Sequence, residues 1–139
     1  METLYGFCTP PNNVKNALIK EGWIITHDPL FIQFDDVEMY LGAEKIIAAE
    51  KEGQKMAVEV KSFVSASLMS AFHFAIGQFI DYRHGLEGQN FAHTLYMAVP
   101  VDVYETFFMR RFIQSVIKSC SVKLIVYDFE KEEIVKWQT

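Results

Sequence analysis

Residues 41–63 read LGAEKIIAAEKEGQKMAVEVKSF, and the assignment of this stretch decides the fold. Residues 43–51 contain good helix formers, whereas 56–60 are strand-like. Glu52-Gly53 stands between two segments of alternating character, and glycine supplies the positive φ that a tight hairpin turn demands. The stretch therefore reads as a β-hairpin. With Glu52 and Gly53 as the turn residues, Lys51 pairs with Gln54, Ile46 with Glu59 and Glu44 with Lys61. The two-residue strand period then sorts the side chains. Ile47, Ala49, Met56, Val58 and Val60 fall on one face, and Glu44, Glu50, Lys55, Glu59 and Lys61 on the other.

Working outward, Pro10, Pro11, Asn12 and Asn13 form a helix entrance, and Val14, Ala17, Leu18 and Glu21 keep helical spacing until Gly22 stops it. Trp23, Ile24 and Ile25 make a β-prone run closed by His27, Asp28 and Pro29. A second run spans 30–34 and ends at a turn marked by Asp35 and Asp36. After the hairpin the sequence predicts a long helix over about 67–84, a strand at 95–99, helical material over 101–119, and strands at 122–127 and 133–137. This order, without repeats or a linker, predicts one α/β domain over 1–139, a mixed sheet flanked by helices.

The chain has 139 residues, 50% hydrophobic and 14% aromatic, enough for one real core and incompatible with a disordered chain. Its formal charge of −5 excludes a histone-like binder that holds nucleic acid by bulk electrostatics. Cys8 and Cys120 match neither a disulfide framework nor a four-ligand zinc site and read as ordinary thiols. Residues 62–80 carry no formal charge for nineteen positions, long enough to cross a bilayer. Four serines, a histidine and a glutamine interrupt the run, and Lys61 and Asp81 bound it, so it reads as a helix buried in a soluble domain. The opening METLYGF lacks the basic and apolar regions of a signal peptide, which predicts a cytoplasmic, membrane-free protein.

In the hairpin register Glu44, Glu59 and Lys61 become neighbours. Opposed side chains lie about 5 Å apart and diagonal ones about 7–8 Å, close enough for Glu44 and Glu59 to share one divalent cation. Oxygen ligands suit magnesium or manganese. Such an ion polarises a phosphodiester and acidifies a water, while the adjacent ammonium orients the water or stabilises developing charge. The pattern points to phosphodiester hydrolysis, although Glu-x-Lys is a common tripeptide and acidic-basic alternation is usually a solvated sheet face. On the long helix, Gln78 and Tyr82 share a face that continues back through the small residues Ala75 and Ala71. Leu68, Phe72, Phe74, Ile76, Phe79 and Ile80 supply apolar surface for the core. That leaves the Gln78 amide and Tyr82 hydroxyl either to contact a phosphate or the carboxylates, or to be satisfied by backbone.

Glu59-Val60-Lys61 at a strand end, after an acidic hairpin and before a helix bearing Gln78-Phe79-Ile80-Asp81-Tyr82, resembles the PD-(D/E)xK nuclease superfamily, in particular its RecB-like members. The strings NALIKEGWIITHDPL, LGAEKIIAAEKEGQKMAVEVKSF, GQFIDYR, LYMAVP and VYETFF resemble the XisH family of cyanobacterial fdxN element excision controlling factors, from about Val14 to Trp137. The resemblance implies a restriction-endonuclease-like core and a part in site-specific DNA excision during heterocyst development. It also implies a companion factor, XisI, and a separate recombinase. It assigns metal binding to Glu59, water positioning to Lys61, and substrate or supporting contacts to Gln78 and Tyr82. The family pattern places an aspartate before Leu41, where this chain has Tyr40; Glu44 as the substitute ligand comes from the hairpin pairing alone.

His27, His73, His84 and His93 show no metal-ligand spacing and read as structural or surface. Residues 106–127 hold no acid but carry Arg110, Arg111, Lys118 and Lys123, the one basic stretch of any length. It suits a DNA backbone, though such charges are more often an ordinary solvated face. Seven acids against three basic residues lie between 29 and 60, where bound cations would locally reverse the sign. Three functions follow for comparison: a metal-dependent DNA-cleaving protein, a catalytically inactive nuclease-fold subunit acting through a partner, and an interaction domain that never meets DNA. Each admits a homo-oligomer.

Overall fold

The computed structural model describes residues 11–32, 46–63, 66–89 and 92–139. Six strands form one sheet in sequence order: β1 (Ile24–His27), β2 (Ile46–Lys51), β3 (Gln54–Val60), β4 (Thr94–Pro100), β5 (Leu124–Asp128) and β6 (Glu133–Gln138). The predicted hairpin is present in the predicted register, with Lys51 opposite Gln54 and Ile46 opposite Glu59. Glu52 and Gly53 take φ of 51° and 83°, the pair of left-handed residues that a two-residue hairpin turn needs. Pairing is antiparallel from β1 through β3, parallel from β3 through β5, and antiparallel again at β6. The sheet is mixed, as expected.

Helices cover both faces. Helix α1 (Pro11–Lys20) lays Val14 and Leu18 on Ile47, Ala49, Met56, Val58, Val60, Ala98, Ile125 and Tyr127. This is the apolar hairpin face that the alternation predicts. On the opposite face α2 (Leu68–Gly88) buries Phe72, Ala75, Ile76, Phe79, Tyr82 and Leu86 against Ile46, Ala48, Ala57, Met97, Leu124 and Val126. Ser67 caps α2, its hydroxyl accepting from the Ser70 backbone N–H at 3.2 Å. Between β4 and β5 lie α3 (Val101–Val103), a π-helical stretch (Tyr104–Phe108) and α4 (Arg111–Ser119), which adds Ile113 and Ile117 to the α2 face. With helices on both sides, the central strands are buried on both faces and their sequences are nearly continuous apolar runs. No helix among the described residues is long and apolar enough to cross a membrane.

Three expectations change. The run at 30–34 is not a strand over its described part: Leu30 and Ile32 are buried and Phe31 is 72% exposed. Among the described residues, 30–32 nevertheless form no ladder, and Leu30 N donates to Ile46 O at 2.7 Å. Alternating burial can be met by coil lying on a sheet; a strand also requires a partner. Residues 33 and 34, Asp35 and Asp36 lie outside the described residues. The helical material over 101–119 is broken at Met109–Arg110, and the new helix starts at Arg111. Phe74, expected in the core, is 64% exposed, because it sits on α2 between Phe72 and Ala75 but turned off their stripe. Trp137 closes the α1 face, packing on Tyr96 and Trp23 with ring centroids 5.3 and 6.1 Å away.

An alanine at Gly53 would find nothing within 4 Å of its Cβ, so the backbone alone decides its cost. We expect Gly53→Ala to destabilise by about 1–2 kcal/mol, the penalty of a left-handed non-glycine residue, read in urea unfolding. Tyr127 is fully buried, its hydroxyl finds no hydrogen-bond partner among the described residues, and burial pushes that phenol's pKa well up. Tyr127→Phe is expected to raise stability by about 1 kcal/mol, since it removes an unpaired polar group; a loss in the same measurement would show a hidden partner.

Candidate functional site

Glu59 and Lys61 are two residues apart at the end of β3 and share its α2 face. Lys61 follows the last strand residue, but its backbone N–H still donates to Ala98 O at 3.0 Å, so the strand geometry carries through to it. Glu59 lies between Ile46 on one neighbouring strand and Met97 on the other, and α2 passes over them. Both polar residues are thus deep in an apolar face: Glu59 is 0% and Lys61 4% exposed.

Each charge finds compensation. The Lys61 Nζ stands 3.6 Å from Glu59 Oε2 and donates a hydrogen bond to Gln78 Oε1. The Gln78 amide in turn donates to the Tyr82 hydroxyl at 3.2 Å. Gln78 and Tyr82 are one helical turn apart on α2, as their spacing predicts, and Ala75 on the preceding turn is buried. A small residue there lets the helix come close enough for a glutamine to reach the strand. The structure therefore brings Glu59, Lys61, Gln78 and Tyr82 into one hydrogen-bonded group. Glu44 lies outside the described residues, while the register that would bring it opposite Lys61 holds as far as Ile46 and Glu59.

Phe74 is the contributor the sequence did not reveal. Its ring centroid is 5.5 Å from Lys61 Nζ, within cation–π range, so it forms an apolar lip over the ammonium. Its position, four residues before Gln78, was the available signal, masked by its resemblance to the core aromatics around it. Among the described residues no group of three or more His, Cys, Asp or Glu side chains could hold a metal ion. His27, His73 and His84 are exposed and His93 is half-buried, its pKa lowered by burial and then by Lys55 and His27. Cys120 is a free thiol, partly buried against the α2-side core.

Fold and site together define an α/β protein whose mixed six-stranded sheet carries a shut-in carboxylate–ammonium pair under a helix. The family model for the XisH protein matches residues 10–135, and the chain belongs to the XisH family. It is similar to the crystal structure of an XisH family protein from Nostoc punctiforme, with 45% identity, a TM-score of 0.87, and coverage of 94% of this chain and 99% of that one. It is equally similar to a fdxN element excision controlling factor protein from Anabaena variabilis, with 46% identity, a TM-score of 0.86, and coverage of 94% and 98%. Comparison with curated proteins gives no match.

A buried pair is destabilised most when one partner is removed and the other left behind, typically by about 3–5 kcal/mol. We expect Lys61→Met to cost that much in urea unfolding. Adding Glu59→Gln to Lys61→Met should recover part of the loss, for a coupling of about 1–3 kcal/mol. Strict additivity would show that the two side chains do not support one another.

Proposed function

We propose that this protein is an excision controlling factor for site-specific DNA rearrangement of the fdxN element type. It is read as built on a restriction-endonuclease-like core, with phosphodiester hydrolysis as its reaction class. The observation that carries the reading is the convergence of Glu59, Lys61, Gln78 and Tyr82 in one bonded group. The Anabaena variabilis relative, named as a fdxN element excision controlling factor, supports the biological role.

The donors fit a hard divalent cation in kind. Magnesium is commonly held by one or two carboxylates together with substrate phosphates, and Glu59 supplies one such carboxylate, with Glu44 as the candidate for the second. When bound, magnesium or manganese would polarise a phosphodiester and acidify a water. Lys61, aimed by the Gln78 carbonyl oxygen, would orient that water or stabilise negative charge growing on the phosphate. Tyr82 fixes the Gln78 amide and so keeps the acceptor oxygen turned toward Lys61.

A second reading is favoured by burial: a carboxylate at 0% and an ammonium at 4% exposure are closed to a substrate as they stand. On that reading the chain is a catalytically inactive nuclease-fold subunit, acting through the companion XisI and a recombinase. Supercoiled plasmid incubated with protein and manganese separates the two. Hydrolysis predicts nicking by the parent chain and a loss of about 100-fold or more with Glu59→Gln or Lys61→Met, the scale of removing one transition-state donor. Circular dichroism melting of each variant serves as the folding control. No nicking by the parent, with co-purification of XisI intact, would sink hydrolysis in favour of the regulatory subunit.

A further inference from the structure

The basic stretch that the sequence singles out has no part in the group around Glu59, yet the fold gathers most of it in one place. Helix α4, the turn after it and the end of β6 enclose a groove of about 650 Å³. Its lining includes Arg111, Ser115, Lys118, Ser121, Lys123 and Gln138, and no aspartate or glutamate. Arg111, Ser115 and Lys118 follow the i, i+4, i+7 spacing of one helix face, and the two charges at its ends are about 10 Å apart along the axis. Lys123 comes in from the start of β5.

Two features make this more than a solvated face. First, Arg111, Lys118 and Lys123 make no ion pair and no side-chain hydrogen bond among the described residues. Second, the turn that presents Ser121 and Lys123 is held in place. Arg83 on α2 donates to the carbonyls of Cys120 and Ser121 at 3.0 and 3.1 Å, and Val122 N donates to Ile117 O at 2.9 Å. Long cations flanked by hydroxyls and amides on a rigid frame are the side chains that contact phosphate oxygens.

The groove also has a fixed relation to the buried pair. Glu59 is opposite Met97, Met97 opposite Leu124, and Leu124 opposite Gln138, one straight row across four strands. Met97 and Leu124 lie on the same side of the sheet as α2 and α4. The groove residue Gln138 therefore sits three strand spacings from Glu59, about 14 Å. This is about four base-pair steps of duplex at 3.4 Å each.

We propose that this groove seats the phosphate backbone of duplex DNA, with Arg111, Lys118 and Lys123 as its contacts, beside the Glu59–Lys61 site. The proposal rests on the reading of the protein as a DNA-handling factor. It also allows DNA contact at a net charge of −5, because three cations gather in one groove whose lining has no aspartate or glutamate.

The test is fluorescence anisotropy of a labelled duplex with the full chain between about 50 and 200 mM NaCl, without divalent cations. The parent is compared with the triple variant Arg111→Gln, Lys118→Gln, Lys123→Gln. Each phosphate contact adds about 0.9 to the slope of log affinity against log salt. Losing three should flatten it by about 2.7, so that over this range the parent loses about 40-fold more affinity than the variant. Because these side chains bond nothing in the core, circular dichroism melting should be unchanged. A parent that binds duplex DNA with a triple variant of equal slope overturns the groove and leaves the DNA reading standing; an acidic protein partner for the groove would give that result. A parent that does not bind duplex DNA at 50 mM salt overturns both.

Discussion

The turn at Glu52-Gly53 is the constraint on which the rest of the molecule depends. Two residues with positive φ close a hairpin of fixed length, and in a strand a shift of one position moves every side chain to the other face. With this turn, Ile47, Ala49, Met56, Val58 and Val60 meet α1, and Ile46, Ala48 and Ala57 meet the α2 side. Glu59 and Lys61 go with the second set. A slip by one residue would carry them under α1, away from Gln78 and Tyr82. Glutamate at φ 51° is held there by the ladder on both sides of it, so the strand pairing supports the strained turn as much as the turn sets the pairing.

That register has a cost. It places a carboxylate and an ammonium in an apolar face, where desolvation offsets much of their attraction. The chain meets this with groups from a second element: the Gln78 carbonyl oxygen accepts from Lys61, and the Tyr82 hydroxyl accepts from the Gln78 amide. Helix α2 provides these because its stripe is interrupted at those positions, and Ala75 brings the helix near. An apolar pair of similar volume would often be as stable, so stability alone does not account for these charges, and a role for them in chemistry or assembly becomes the more economical explanation.

Charge is also uneven along the chain. Seven acids lie between 29 and 60, while Arg111, Lys118 and Lys123 gather around one groove at the far edge of the sheet. Net charge governs long-range steering and solubility; contact with a polyanion is decided within about a Debye length of the surface. A chain that is acidic overall can therefore still carry a locally cationic groove.

How much of this was legible in the sequence differs by element. The hairpin, its faces, α1, α2 and the parallel core strands were readable because period and turn chemistry are local: Gly53, the alternation from Ile46 to Val60, and the i, i+4 pair Gln78 and Tyr82 each announce themselves within a few residues. Their convergence in one site could be inferred only through the family resemblance, since nothing local tells which helix crosses which strand. The run at 30–34 misled because its alternation was genuine while residues 30–32 join no ladder among the described residues. Phe74 misled because an aromatic in an aromatic-rich helix looks like core until the neighbouring stripe is known. What the sequence determined by itself was which residues share a face and where the chain turns. Only the tertiary structure decided that Glu59 and Lys61 are buried, that Phe74 lies over the ammonium, and that Gln138 stands in line with Glu59 across four strands. Burial and long-range adjacency belong to the packing of the whole sheet against its helices, and no segment of the chain carries that information alone.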